Sequence, residues 1–261
     1  MQTRLDNESA YDKSELLELA LLTTIGNREE QQDNVGYLLG NNDGLIVLCD
    51  GMGGYADGKK AGITGVTTIL ENFEEISQSE NVIQSMQAAT RLANDRVAAI
   101  GTNAMTGATE ICVYIRNNEL YWNSVGDSRG YVIRNGRYHQ FTQDHNMKTV
   151  LDEKLATGII SRQDYETQIV TGEALISYLG MKTLGLIDYN MKPFQLISGD
   201  VLVMMSDGVY KYLNEDTIFQ IIDNFIDVSD AVNALESRVK RESISNNKSR
   251  DNMTVVVIRI R

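Results

Sequence analysis

Among the stretches of this chain that are apolar at every position, two lead into acidic turns: Leu45-Ile46-Val47-Leu48-Cys49 and Val201-Leu202-Val203-Met204-Met205. A strand with one wet face alternates apolar and polar residues. A run without alternation reads as a strand buried on both faces. Each run closes on an acidic turn, Asp50-Gly51-Met52-Gly53-Gly54 in the first case and Ser206-Asp207-Gly208 in the second. A third such mark, Asp251-Asn252, opens the strand-like run Met253 to Ile260. Strands punctuated in this way bring carboxylates from distant parts of a sequence to one edge of a sheet.

Two further aspartates have similar settings. Asp127 lies in Val125-Gly126-Asp127-Ser128-Arg129, between two strand candidates, and Asp33 follows Arg28 and Gln32 in the loop before another. A lone Asp-Gly is most often an ordinary turn, because both residues favour turns for local reasons. Recurrence beside buried strands weakens that reading. Packed carboxylates repel, and a cation is the usual means of keeping them ionised. With two histidines and two cysteines in 261 residues, the donors on offer are oxygens, which suit Mg²⁺ or Mn²⁺. The glycines after Asp50 allow positive φ and close backbone approach, so that the carbonyl of Gly51 becomes an available oxygen ligand.

Other chemistries are excluded by what is missing. Gly58-Lys59-Lys60 does not complete a phosphate-binding loop, no glycine spacing fits a dinucleotide fingerprint, and no His/Cys set has zinc spacing. A net charge of -12 argues against a nucleic-acid or anionic-membrane binder. It does not argue against an anionic substrate at a metal, since a bound cation reverses the local potential. Cys49 and Cys112 each lie inside an apolar run and read as buried thiols. The N-terminus has no apolar signal segment and no run is long enough to span a bilayer, so a cytoplasmic protein is expected.

Along the chain, the first dozen residues read as frayed or as an edge strand. Strands are expected at Leu17 to Ile25, Tyr37 to Leu39, Leu45 to Cys49, Ile111 to Ile115, Leu120 to Val125 and Tyr131 to Ile133. Asn135-Gly136 marks a tight hairpin into Arg137 to Phe141. Helices are expected at Gly58 to Phe73 and Asn81 to Ile100, the second from the spacing of Val82, Met86, Ala89, Ala93, Val97 and Ile100. Two more are expected, one from Asn214 to Asp223 and one capped by Ser229 and ending near Arg241, followed by a polar loop from Glu242 to Arg250. Residues 146–185 read as an inserted flap. One domain over residues 1–261 is preferred, since no repeat or linker divides it.

Taken in order, Gly26-Asn27-Arg28-Glu29-Glu30-Gln31-Gln32-Asp33, Asp50-Gly51-Met52-Gly53-Gly54, Gly107-Ala108-Thr109, Val125-Gly126-Asp127-Ser128-Arg129, Thr142-Gln143-Asp144-His145, Ser206-Asp207-Gly208 and Asp251-Asn252-Met253-Thr254 resemble the bacterial metal-dependent serine/threonine protein phosphatases of type 2C. The resemblance runs from about Thr24 to Arg261. It implies an α+β fold, a four-layer α/β/β/α sandwich of two central antiparallel sheets, with a metal cleft at one end. It also implies two Mn²⁺ or Mg²⁺ ions. Asp50 bridges them, Asp207 and Asp251 complete the first, the Gly51 carbonyl and waters serve the second, and Asp127 with Asp207 offers a third, more labile place. Asp33 matches the acid that steadies the attacking water, Arg28 the arginine that grips the substrate phosphate, and Asn252 a neighbour of the metal edge. A guanidinium fork suits phosphate oxygens on its own chemistry.

The implied reaction is direct hydrolysis of phosphoserine and phosphothreonine in protein substrates by a metal-activated water, opposing a Ser/Thr kinase. Neither cysteine is needed as a nucleophile. Five positions depart from the family pattern. Met52 and Tyr55 stand where histidines occur in eukaryotic and bacterial members, respectively. The Gly26 to Arg28 segment is one residue short, Gln31 replaces an asparagine, and Ala108 replaces a threonine. His145 matches a residue that braces the sandwich near the flap, and His139 reads as structural or exposed. Asp144 reads equally as support for the metal site or as a turn residue. The competing functions are a phosphatase-fold sensor or scaffold without activity, which loss of the metal carboxylates would mark, and a hydrolase of small phosphoesters.

Overall fold

The structure is a computed structural model that describes residues 2–4, 8–53, 56–100 and 106–261. Gly54 and Tyr55 lie outside the described residues. The chain opens with strands β1 (Gln2–Arg4), β2 (Glu8–Lys13), β3 (Leu17–Thr24), β4 (Asp33–Leu39) and β5 (Asp43–Met52). Helices α1 (Ala56–Glu71), α2 (Phe73–Gln78) and α3 (Val82–Ala98) follow. Strands β6 (Gly107–Ala108), β7 (Glu110–Arg116), β8 (Glu119–Val125), β9 (Arg129–Arg134) and β10 (Arg137–Gln140) fill the middle. The flap segment holds α4 (Met147–Ala156) and α5 (Arg162–Gln168). Strands β11 (Asp188–Tyr189), β12 (Phe194–Gln195) and β13 (Val201–Met205) lead to helices α6 (Asp207–Tyr210), α7 (Glu215–Asp223) and α8 (Val228–Ser245), and β14 (Met253–Ile260) closes the chain.

Two antiparallel sheets result. One runs β1-β4-β5-β7-β8-β11, with β6 on β5 and β12 on β8, and the other runs β10-β9-β13-β14-β3-β2. The apolar runs explain the layering, because successive side chains on a strand point to opposite faces. On β5, Ile46 and Leu48 face the opposite sheet, where they meet Leu19, Leu21, Met204 and Val256. Leu45, Val47 and Cys49 face α1, α2 and α3. On β13, Leu202 and Met204 point between the sheets, while Val201, Val203 and Met205 pack on α7 and α8. Both faces of each strand are therefore covered, which is why neither run alternates. The order of layers is helix, sheet, sheet, helix, as the resemblance implied. Burying a side chain of this size contributes roughly 1.5–3 kcal/mol.

The hairpins form at the expected places. Asn117 and Asn118 take φ of 52° and 64°, and Asn135 and Gly136 take 54° and 70°, the paired left-handed residues of a primed turn. Both cysteines are buried and unpaired.

Several boundaries differ from expectation. The fourth strand extends back from Tyr37 to Asp33, because Asp33 pairs in register with Asp50 across β4 and β5. The helix expected at Gly58 to Phe73 ends at Glu71, and α2 restarts after Asn72. The last helix is capped by Asp227, whose carboxylate accepts from the backbone N–H groups of Ser229 and Asp230, and not by Ser229. Glu242 to Ser245, expected in a loop, complete that helix because Ser243 is buried against the core side. Among the described residues no helix is long and apolar enough to cross a membrane.

Candidate active site

The layer between the sheets turns polar at one end, and the same alternation sets it up. Asp50 follows Leu48 by two residues on β5, Ser206 follows Met204 just past β13, Thr254 precedes Val256 on β14, and Thr23 follows Leu21 on β3. All inherit the inward direction of their apolar neighbours. They are knit together by hydrogen bonds. Thr254 Oγ1 donates to Thr23 Oγ1 at 3.0 Å, and Gln31 Nε2 donates to the same oxygen at 2.8 Å. Ser206 Oγ donates to Asp33 Oδ2 at 2.7 Å and accepts from the backbone of Thr254 at 3.0 Å.

A cleft of about 500 Å³ opens at this end, lined by Arg28, Asp33, Asp50, Gly51, Asp207, Asp251 and Asn252 among others. Seven of the eight expected site residues thus line one cleft. The eighth, Asp127, is buried and does not line it. Its carboxyl nevertheless interacts electrostatically with those of Asp50 and Asp207.

The electrostatics are those of crowded acids. Desolvation holds the Asp50 carboxyl well above its ordinary range, and Asp33, Asp207, Asp127 and Asp251 push it further the same way. Burial lifts Asp33 to about 7 despite the Ser206 hydrogen bond, with Asp207 adding to the rise. Burial lifts Asp127 to about 6, Asp207 adding and Lys211 opposing. A divalent cation is the group that would reverse all three effects.

The donor set fits such an ion. It is made of oxygens, and the buried Oδ1 of Asp33 has no hydrogen-bond partner among the described residues. The backbone at Gly51 is shaped for close approach, since a Cβ there would collide with the carbonyls of Gly58 and Gln32. Its N–H donates to the Gln32 carbonyl at 3.1 Å. Gly208 is needed equally, because a side chain would strike the carbonyl of Asn252. Among the described residues, however, no three His, Cys, Asp or Glu side chains are already drawn into a metal-holding group. Two of the aspartates are turned to internal cations. Arg28 Nη2 donates to Asp251 Oδ2 at 2.6 Å, and Lys211 Nζ to Asp207 Oδ2 at 2.7 Å.

Arg28 sits on the rim with 58 % of its side chain exposed. Asn252 fixes the loop that carries it. Its Oδ1 accepts from the Gln32 N–H at 2.9 Å, and its Nδ2 donates to the carbonyls of Ile25 and Glu30. Asp50 is held by Thr109, whose hydroxyl accepts from the Asp50 N–H at 2.9 Å and whose N–H donates to the Asp50 carbonyl at 2.8 Å.

Asp144 is settled as a partner of Arg129, which donates to it at 2.8, 3.1 and 3.2 Å. Arg129 lies 3.9 Å over the Tyr210 ring, and the Tyr210 hydroxyl donates to the Asp127 carbonyl at 3.1 Å. His145 braces the turn before Asp127. Its Nδ1 accepts from the Gly126 N–H at 3.2 Å, and burial lowers its pKa to about 4. His139 is exposed on β10.

Sequence reasoning gave no role to Lys211, Tyr210 or Ser206. Lys211 had a readable signal, since a lysine four residues after an aspartate at a helix start shares its face. The bonds from Ser206 to Asp33 and from Tyr210 to Asp127 join residues 173 and 83 positions apart, and no local pattern shows them.

Comparison with known proteins places the chain among phosphatases of one family. Residues 24–154 match the family described as Protein phosphatase 2C. The protein phosphatase PhpP of Streptococcus pneumoniae is 27% identical over 251 residues, covering 93% of this chain and 97% of its own. The PPM Ser-Thr phosphatase MsPP of Mycobacterium smegmatis, solved in complex with cacodylate, is 27% identical with a TM-score of 0.74, covering 94% of this chain and 99% of its own. The catalytic domain of the serine threonine protein phosphatase PstP, solved with two manganese ions, shares the fold at 23% identity and a TM-score of 0.72, covering 94% of this chain and 98% of its own. The chain belongs to the protein phosphatase 2C family.

Proposed function

We propose that this protein hydrolyses phosphoserine and phosphothreonine monoesters in proteins, with Asp50, Gly51, Asp207 and Asp251 holding two Mn²⁺ or Mg²⁺ ions and Asp127 joining Asp207 at a third, weaker place. The observation that carries the reading is the Asp50 carboxyl. It stands in one cleft with those of Asp33, Asp207 and Asp251, and each of the three adds to the rise that burial imposes on it. A protein has little use for such repulsion unless a cation offsets it. The family relatives, one of them solved with two manganese ions, support the same reading.

When bound, such ions supply Lewis-acid polarisation of the phosphoryl oxygens and a water of lowered pKa. The chain's own residues do the rest. Arg28, half-free on the rim, can exchange its bond to Asp251 for a bidentate grip on the phosphate. Asp33, deep in the cleft beside Asp50 and with a pKa near 7, can hold a proton from the attacking water at its unpartnered Oδ1. The flap over residues 146–185 would offer the surface on which a protein substrate rests. A cytoplasmic setting opposite a Ser/Thr kinase fits this chemistry.

The test is phosphate release from a phosphothreonine peptide with Mn²⁺. Asp207→Ala should lose activity by about 10²-fold or more, and Arg28→Ala should chiefly raise KM. Equal turnover by wild type and Asp207→Ala would falsify the mechanism. Retained carboxylates with no turnover of any phosphopeptide or aryl phosphate would favour the scaffold reading instead.

A further inference from the structure

Lys211 stands one turn beyond Asp207, just past the short helix α6. Its ammonium lies 2.7 Å from Asp207 Oδ2 and 3.1 Å from Oε2 of Glu173. Asp207 is the more enclosed partner, with 17 % of its side chain exposed, and it lines the candidate metal cleft. Glu173 comes from the returning base of the flap, where its neighbours are pinned. Lys148 N–H donates to the Gly172 carbonyl at 2.8 Å and Met147 N–H to the Ala174 carbonyl at 2.9 Å. The lysine therefore bridges the enclosed Asp207 and the more exposed Glu173 on the flap. Its preceding residue, Tyr210, holds the Asp127 carbonyl, and the Lys211 charge acts on the Asp127 carboxyl.

We propose that Lys211 is a resident cation that competes with a divalent ion for the Asp207 and Asp127 side of the cleft, anchored there by Glu173 of the flap. This rests on the metal-centre reading above. An ammonium at hydrogen-bond distance from a ligating oxygen occupies one of its lone pairs and repels any second cation nearby. The chain thus carries its own partial substitute for the most weakly held ion.

The sign of the effect separates this role from a structural one. If Lys211 merely shaped the site, removing it would weaken ion binding. If it competes, removing it must strengthen binding. Mn²⁺ binding to the full chain is measured by titration calorimetry for wild type, Lys211→Met, Lys211→Gln and Lys211→Arg. Both neutral variants should bind the weakest ion about tenfold or more tighter, or bind one ion more, with Lys211→Arg close to wild type. Mn²⁺ binding that is unchanged or weaker in the folded neutral variants overturns the proposal and leaves the metal centre standing. A wild type and neutral variants that all fail to take up Mn²⁺ overturn both.

Discussion

Glu110 shows what a single buried carboxyl does to this fold. Its Oε1 accepts from the Thr90 hydroxyl at 2.7 Å and from Asn123 Nδ2 at 3.2 Å, while its Oε2 is buried with no partner. Burial lifts its pKa from an ordinary 4.5 to about 8, with the Thr90 hydrogen bond opposing. The folded chain thus holds a proton that the unfolded chain has released. Stability contributed here is full below pH 4.5, falls as pH rises toward 8, and is level beyond. Glu110→Gln should remove that slope. Unfolding free energies of the two proteins from urea titration should nearly coincide near pH 4.5 and separate by a few kcal/mol in favour of the variant by about pH 8.5. Parallel pH profiles would show that the carboxyl stays ionised in the fold. Asp33 and Asp50 share that burial, but other carboxyls also crowd them and they line the cleft, where a cation is the remedy.

Helix ends are where local chemistry and tertiary packing part company. Ser229 is an acceptable cap by sequence, yet Asp227 does the work because its own extended backbone, φ -83° and ψ 126°, places its carboxylate over the N–H groups of Ser229 and Asp230. Asp227→Ala should therefore cost about 1 kcal/mol in urea unfolding, while Ser229→Ala should cost a few tenths at most. The reverse order would restore the cap to Ser229. Asn214 is the contrasting case, where the expected residue caps its helix and accepts from the Thr217 N–H at 2.9 Å. The flap has less support. Its two helices bury only Leu151 between them, so the attachment comes from its base, where Ile176 N–H meets the His145 carbonyl and Leu179 pairs with Ala108.

Across the whole molecule, the sandwich concentrates its repulsion at one end. The three apolar layers are continuous, and the polar end of the middle layer carries the aspartates. A cation bound there should stabilise the entire fold. Saturating Mn²⁺ at about 100 times its Kd should add roughly 2.7 kcal/mol and raise the Tm by several degrees. Asp50→Asn should melt higher than wild type in a chelator, because one buried charge is gone, and should gain less from Mn²⁺. A Tm of wild type that ignores Mn²⁺ would contradict the metal-centre proposal.

The sequence by itself determined the alternation rules. Unbroken apolar runs at Leu45 to Cys49 and Val201 to Met205 demanded cover on both faces, but the turn expected at Asp50 is strand, since β5 runs on to Met52 and Asp50 pairs with Asp33, while Asp207 opens α6 just past β13. The demand for cover is a local consequence of side-chain period, and the ordered motifs supplied the family. Only the tertiary structure decided which partners each acid meets. Sheet stacking brings Ser206 onto Asp33, the loop from Ile25 brings Arg28 onto Asp251, and the flap brings Glu173 onto Lys211. Contacts of that kind are fixed by how layers pack across long sequence separations, and no period within a strand or helix encodes them.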